Sequence, residues 1–263
     1  MANTVYENFI IESKLNDNLD TKLNAKTYMT IDTGLTATDG MTVKINKYTY
    51  TGEVEKLAKG VGSSKRGSLT VTTVPYNVNL YQQAFDYYDE EFMTDSKVVD
   101  YGVAGASNEM VNQMTDEFFT EIAKATLKQT YAKGGAISYD TVVDAIALMN
   151  LEDESGLFLI VGNDLKAQIR KDEDFKSKEL GKVIADGAIG TLCGVPVICS
   201  KRVPTGKAYL ATKEAVTLFT KKDSEVEQER NADTRKNSIY LRRVGVVALT
   251  DATKVVEISE ATA

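Results

Sequence analysis

The sequence of 263 residues contains no histidine and no tryptophan, and it has only three prolines and two cysteines. Without histidine the chain cannot build a Ser-His-Asp or Cys-His catalytic centre, an HExxH metalloprotease site or any zinc site with an imidazole ligand. The two cysteines, Cys193 and Cys199, are too few for a disulfide framework. We interpret them as buried structural thiols.

Long apolar runs are also missing. The most apolar segments, residues 157–161 and 244–249, are far too short to span a bilayer. Lys and Arg total 31 against 38 Asp and Glu, which gives a formal net charge of −7. This charge argues against a protein whose main task is to bind nucleic acid by neutralising phosphates. We therefore expect an acidic protein without a membrane segment.

The apolar residues that are present suffice for a packed core, and their spacing changes along the chain. Val43 and Ile45 alternate with polar neighbours, and the alternation resumes at Ser68 after a charged, glycine-rich stretch. This pattern predicts a long β-hairpin whose tip lies at residues 53–67. An isolated two-stranded hairpin is marginal in water, and its open edges can pair with another chain. We expect it to rest on a partner subunit.

A long helix is predicted after the hairpin. Ser107 is expected to cap it, with Glu109 in its first turn, and Gly134 is expected to end it. An apolar stripe supports the helix. Its members are Met110, Met114, Phe118, Ile122 and Ala125.

The second half of the chain reads as α/β sequence. A helix capped by Ser138 precedes the apolar run 157–161, which is typical of a strand buried on both faces. A helix through Lys171 and strands at 191–199, 208–211 and 216–220 follow. Residues 221–236 are predicted to be a polar loop, and residues 239–249 to form a closing hairpin with residues 255–258.

Two segments could carry chemistry. In the first, Gly62 and Gly67 have the spacing of a phosphate-binding loop, but Ser68 stands where that loop needs lysine, so we interpret it as a flexible loop. The second is an acidic segment that could bind a divalent cation: Asp86, Asp89, Glu90, Glu91 and Asp95. It lacks the glycine and terminal glutamate of an EF-hand. A solvated or intersubunit-paired turn is the better interpretation.

The predicted hairpin tip carries a local positive charge on residues that we call the tip cations: Lys56, Lys59, Lys65 and Arg66. Contact with nucleic acid is one explanation, although no aromatic residues are interleaved with them. Attraction to an acidic neighbouring surface is a second, and a solvated tip is a third. No constellation in the sequence supports an enzyme.

Five short sequences in joint order resemble the major capsid proteins of tailed bacteriophages. They are residues 5–9 (VYENF), 40–45 (GMTVKI), 87–91 (YYDEE), 93–95 (MTD) and 156–162 (GLFLIVG). None is a catalytic fingerprint, so the resemblance rests on their order and on the succession of arm, hairpin, long helix and α/β unit. It covers nearly the whole chain.

The resemblance implies an α+β fold of the tailed-phage capsid type. Its parts would be an N-terminal arm (1–39), an extended hairpin called the E-loop (40–82), a P-domain with a long spine helix (83–137), an α/β A-domain (138–235) and closing P-domain strands (236–263). Such subunits form hexamers and pentamers of an icosahedral shell around double-stranded DNA. The shell belongs to the virion and is assembled in the cytoplasm of the bacterial host.

The resemblance also implies partners. A portal and a separate scaffold protein are expected, and because the similarity begins almost at Met1, a fused scaffold is expected to be absent. No cofactor and no metal are implied. Some family members crosslink an E-loop lysine to an asparagine of a neighbour. The segment from Ile239 to Ile258 contains no asparagine, which argues against such a crosslink here.

Family geometry lays the E-loop of one subunit across the helix of the next. We therefore predict that the tip cations meet acidic residues exposed on the first half of the helix, which we call the helix acids. These are Glu109, Asp116, Glu117 and Glu121. Two alternatives stay open: an encapsulin-type compartment of the same fold that holds an enzyme cargo, and an α/β enzyme with a carboxylate metal site at residues 89–95.

Overall fold

A computed structural model describes residues 10–15, 28–37, 40–60, 62–171 and 190–261. The strands are β1 (Thr30–Asp32), β2 (Thr42–Thr51), β3 (Ser68–Asn77), β4 (Asn79–Tyr88), β5 (Leu127–Tyr131), β6 (Leu157–Val161), β7 (Thr191–Leu192), β8 (Val195–Cys199), β9 (Lys207–Thr212), β10 (Val216–Asn231), β11 (Lys236–Leu249) and β12 (Val255–Glu260). The helices are α1 (Asp89–Thr94), α2 (Val98–Ile122), α3 (Tyr139–Met149) and α4 (Asn163–Lys171), with short 3-10 turns at Gly34–Ala37 and Ala252–Lys254. Residues 10–15 are also helical.

The strands form three sheets within the described ranges. A six-stranded sheet has the order β5-β12-β9-β6-β8-β7, and a four-stranded sheet has the order β1-β10-β11-β4. Strands β2 and β3 form a two-stranded sheet by themselves. The predicted long hairpin is confirmed, with its strands paired from Thr42 opposite Asn77 to Thr51 opposite Ser68.

Strand β6 lies inside the six-stranded sheet, and all of its residues are buried. On one face Phe158 and Ile160 share an apolar cluster with Phe118 of α2. On the other face Leu159 shares a cluster with residues of α3 and α4, including Leu165. Because helices cover both faces, an unbroken apolar run replaces the usual alternation. The prediction of a strand buried on both faces is confirmed.

Helix α2 connects the two larger sheets. Its second half, through Met114 and Ile122, packs with the six-stranded sheet, and its first half, through Val103, packs with β4 and β11. Gly102 allows a close approach between helix and sheet, because a Cβ at this position would collide with the ring of Phe85. The predicted apolar stripe is confirmed as buried.

The helical residues 10–15 belong to the body of the protein. Ile11 and Leu15 are buried in the same cluster as the first half of α2, and Lys14 forms an ion pair with Asp100 at 2.6 Å. This part of the arm therefore contributes two residues to the core of the body. The VYENF sequence at 5–9 lies outside the described residues.

The boundaries of the long helix differ from the prediction. The helix begins at Val98, and Ser107 is buried inside it, where its hydroxyl donates to the carbonyl of Val103. Glycines and β-branched residues weaken helix propensity before position 107, and burial of that segment overrides the weakness. The helix ends at Ile122, because residues 127–131 form β5 beside β12 instead. No helix in the described ranges is long and apolar enough to cross a membrane.

The closing region corrects two further expectations. Residues 221–236, predicted as a polar loop, are the outer parts of β10 and β11 and the turn between them. Charged residues dominate there because one face of this ribbon is exposed, with Arg242 paired to Glu227 across the strands at 2.8 Å. Val226 faces the body and is buried. Strand β12 does not pair with β11 as predicted but lies between β9 and β5.

We expect Leu210→Ala to lower the free energy of unfolding by about 2–5 kcal/mol. The Leu210 side chain is fully buried in β9, between β12 and β6, so its removal leaves a cavity. Urea unfolding followed by circular dichroism measures the change. Leu69→Ala is the matched control, because the same side chain is 61% exposed on β3. Equal losses in both variants would contradict this assignment of the core.

Candidate functional site

The hairpin of β2 and β3 has an exposed apolar face near its tip. Tyr50 stands opposite Leu69, and Val71 lies two residues further along β3, so the three side chains share one face. Each is at least half exposed, at 69%, 61% and 50% respectively. Among the hairpin side chains that the structure describes, those packed on the body lie at the base, where Val43 joins Val78 and Val246. Its outer part therefore presents apolar surface to water.

Two glycines are the sequence signal for this exposed face, which the alternation of apolar residues does not indicate. The ring of Tyr50 lies against Gly52 and Gly67, and a Cβ on either glycine would collide with it. Gly52 follows the last residue of β2 and Gly67 precedes the first residue of β3, next to the pair of Tyr50 and Leu69.

The tip itself is organised around Glu55. Its carboxylate accepts hydrogen bonds from the backbone N–H groups of Ser64 at 2.9 Å and Lys65 at 3.3 Å, and from the hydroxyls of Ser63 and Ser64. The two backbone bonds lower the pKa of Glu55. In the described part of the glycine-rich segment, the N–H groups of Ser64 and Lys65 therefore bind a carboxylate of their own chain, whereas a phosphate loop directs such groups to its ligand.

The tip cations are all exposed. Lys65 forms an ion pair with Glu53 of the same tip. Within the described part of the chain, Lys56, Lys59 and Arg66 form no ion pair. Three positive charges at the tip are therefore available to another molecule.

The helix acids divide into two groups. Glu109 is exposed at the edge of a polar groove of about 520 Å³ between α2 and β4, which Gln82, Gln83 and Gln113 also line. Asp116 is exposed but paired with Arg202 of the body. The expectation that Glu117 and Glu121 are also exposed is wrong. Glu117 is half-buried, Glu121 is buried, and both bind groups of their own chain.

The acidic segment that could have bound a cation is paired within the chain. Asp86 binds Lys236 at 2.7 Å, and Asp89 binds Arg230 at 2.7 Å, so the end of β4 and the start of α1 are held to the β10–β11 ribbon. Its other acids are also engaged. Glu90 pairs with Arg235, Glu91 accepts from the backbone of Tyr88, and Asp95 accepts from the backbone of Lys97.

The carboxylates of residues 89–95 are engaged in these ion pairs and hydrogen bonds, which bears on the alternative of a metal site there. Among the described residues, no group of acidic or cysteine side chains is arranged to hold a metal ion. These acids were predicted to be solvated or paired between subunits, whereas the structure gives each of them a partner within its own chain. The hydrogen bonds from Lys236 and Arg230 respectively lower the pKa of Asp86 and of Asp89.

The two cysteines do not form a site. Cys193 lies in a tight turn between β7 and β8 with a positive φ of 54°, and Cys199 ends β8, where its thiol contacts Oδ1 of Asn163 at 2.9 Å. Neither forms a disulfide, and both are half-buried, so the interpretation of both as buried thiols is wrong. The single strand predicted over 191–199 is interrupted by this turn.

Comparisons with known proteins agree with this architecture. The sequence model of the family described as phage capsid protein matches residues 71–258. The major capsid protein of Staphylococcus phage phiMR11 is 24% identical over 254 residues, which cover 92% of this chain and 89% of that protein.

Solved structures show the same fold at low sequence identity. The capsid of cyanophage P-SCSP1u has a TM-score of 0.72 at 12% identity, over 89% of this chain and 87% of that one. The virus-like particle from Pyrococcus furiosus has a TM-score of 0.62 at 10% identity, over 95% of this chain and 98% of that one. The predicted α+β fold class is confirmed.

We expect Asp89→Asn to destabilise the protein at pH 7 and to have less effect at pH 3. Because the folded pKa of Asp89 is depressed, the ion pair contributes stability above the unfolded value of about 3.9 and loses it as pH falls through the folded pKa. Urea midpoints at the two pH values measure this. Asp144→Asn, at an exposed position on α3, is the control and should change neither midpoint. An effect of Asp89→Asn that is equal at both pH values would refute the ion pair's contribution.

Proposed function

Because the chain belongs to the phage capsid protein family, we propose that its copies assemble as hexamers and pentamers into an icosahedral shell that encloses double-stranded DNA. The family match and the phage relative support a structural protein of the capsid. We assign the hairpin to the E-loop (40–82), α2 to the spine helix of the P-domain, and the six-stranded sheet mainly to the A-domain. We propose no catalytic role.

The observation that carries the proposal is the uncovered apolar face of the hairpin. In the described part of the chain, β2 and β3 pair with no other strand, and Tyr50, Leu69 and Val71 stay exposed. A hairpin of this kind is marginal unless another surface covers it. A second copy supplies that surface at every contact of a closed shell, so assembly buries the face in all copies.

We propose that the tip of one copy meets Glu109 of the next. Glu109 carries a negative charge with no ion-pair partner in the described part of its own chain, and it borders a groove lined by amide side chains. Lys56, Lys59 and Arg66 have the complementary charge. Charge complementarity of this kind fixes the register of a contact more than its strength.

We propose that the shell holds DNA by enclosure. A net charge of −7 per copy disfavours tight binding through phosphate neutralisation. A portal and a separate scaffold protein are the further partners of this proposal, with assembly in the host cytoplasm. The likeness to the Pyrococcus furiosus particle keeps a cargo-holding compartment as the second candidate. Purified shells that absorb as nucleic acid would support the DNA-filled capsid, and shells that co-purify with a second protein would support the cargo-holding compartment.

We expect deletion of residues 55–67 to abolish shells while the body stays folded. The deletion leaves Gly52, Glu53 and Val54 to close the hairpin as a short loop, and it removes the tip that would reach a neighbour. Negative-stain microscopy and size-exclusion chromatography measure assembly, and the urea midpoint of the body serves as the control. Shells of normal size from the shortened chain would show that the tip is not an assembly element.

We expect the double change Lys59→Glu and Arg66→Glu to raise the concentration needed for assembly. Each exposed pair is worth only ~0.2–1 kcal/mol, but the contact recurs at every copy. Adding Glu109→Lys should partly restore assembly, and high salt should weaken assembly of the natural sequence. Light scattering against protein concentration measures the threshold. A triple variant no better than the double would exclude Glu109 as the partner.

A further inference from the structure

Two carboxylates of α2 lie where the hairpin joins the body. Glu117 and Glu121 are four residues apart, so they project from the same side of the helix, one turn from each other. The polypeptide leaves the hairpin at Asn77, the end of β3, and enters the body at Asn79, the start of β4. Glu117 binds residues of β4, on the body side of this junction. Glu121 contacts β3, on the hairpin side, through a lysine.

Glu117 binds the first residues of β4. Its Oε1 accepts a hydrogen bond from Nδ2 of Asn79 at 3.3 Å, and its Oε2 accepts one from the hydroxyl of Tyr81. Tyr81 is buried, and both its burial and its bond to Glu117 raise its pKa, so the phenol remains a donor. The two bonds fix the strand that continues directly from the hairpin.

Glu121 contacts the end of strand β3 through Lys124. Its Oε1 accepts from the Lys124 ammonium at 2.5 Å, and that ammonium lies 5.8 Å from the ring centroid of Tyr76 on β3, within cation–π range. The Tyr76 hydroxyl donates to the carbonyl of Leu249 at 3.4 Å. Burial raises the pKa of Tyr76, and the negative charge of Glu121 raises it further.

The burial of Glu121 is unusual for an acid. Its exposure is 8%, and its Oε2 accepts no hydrogen bond within the described residues. Burying a carboxylate is costly even when it is paired. The apolar contacts of Val43, Val78 and Val246 already attach the hairpin, so attachment alone does not require an acid. Hydrogen bonds add direction, which apolar contacts lack.

We propose that Glu117 and Glu121 are positioning residues that fix the direction in which the hairpin leaves the body. We call this pair, with its partners Asn79, Tyr81, Lys124 and Tyr76, the stem clamp. Its consequence for assembly rests on the proposed function, because the direction of the hairpin then decides where the tip meets a second copy.

The length of the hairpin makes this direction matter. Strand β2 has ten residues, and at about 3.3 Å per residue it spans about 33 Å. A change of roughly 10° at the base would move the tip by about 6 Å, which is twice the length of a hydrogen bond. Small losses of restraint at the stem clamp would therefore displace the tip from its contact.

The test measures the hairpin direction in dissociated subunits. Spin labels are attached through Thr70→Cys on β3 and Asp144→Cys on α3, with Cys193→Ser and Cys199→Ser in the background, and double electron–electron resonance gives the distribution of distances. Thr70 lies seven residues from the base of β3, about 23 Å away, so a swing of roughly 10° moves the label by about 4 Å. We expect Glu117→Gln with Glu121→Gln to widen this distribution by about 4 Å or more. Asp116→Asn is the matched control, because it removes a charge from the adjacent position and its partner, Arg202, belongs to the body.

A distribution as narrow in the double variant as in the natural sequence would overturn the proposal, and so would equal widening by Asp116→Asn. If the double variant does not fold, Tyr81→Phe removes one hydroxyl without changing any charge and should widen the distribution to a smaller extent. A distance distribution in Tyr81→Phe as narrow as in the natural sequence would then overturn the proposal.

The second measurement is the diameter of assembled shells. A loosened stem clamp should give a broader range of diameters than Asp116→Asn gives, because the tips reach their neighbours at variable positions. If the natural sequence forms no shells, the proposed function fails. The distance distributions still decide whether the stem clamp positions the hairpin.

Discussion

A two-stranded hairpin cannot cover its own apolar face, and the position of this hairpin depends on how its base is held. Near the tip, Tyr50 and Leu69 are exposed on one face. At the base, Val43 and Tyr76 pack with β11 and the neighbouring strands. The molecule therefore combines a well-attached stem with an uncovered outer half. That combination is consistent with a hairpin whose outer half is covered by another copy of the chain.

Helix α2 makes the attachment rigid because it packs on both larger sheets. Phe118 and Ile122 are buried against the six-stranded sheet, and Val103 is buried against the four-stranded sheet. The ion pairs of Asp86 and Asp89 attach the C-terminal end of β4 and the start of α1 to the β10–β11 ribbon. The strand that returns from the hairpin is thus held at both of its ends. The acids Asp86 and Asp89 stabilise the fold of the single chain, whereas Glu109 has no ion-pair partner in the described part of the chain.

The sequence predicted those elements in which local pattern and tertiary environment agree. The run 157–161 is buried on both faces, and the alternation around Val43 and Ser68 forms the hairpin. It failed where packing overrides local preference, as in the early start of α2 at Val98. The charge of a residue also did not predict its exposure. The sequence shows Glu117 and Glu121 as acids on a helix, but only the fold brings Tyr81 and Lys124 to them.

Hydrogen exchange of the hairpin in shells and in dissociated subunits tests the central claim most directly. If a second copy covers the hairpin, amides of β2 and β3 should exchange more slowly in shells, because new contacts must be broken before they open. Amides of β6, buried in each copy, should exchange at the same rate in both states. Equal exchange of β2 and β3 in shells and subunits would contradict the claim that neighbouring copies cover the hairpin.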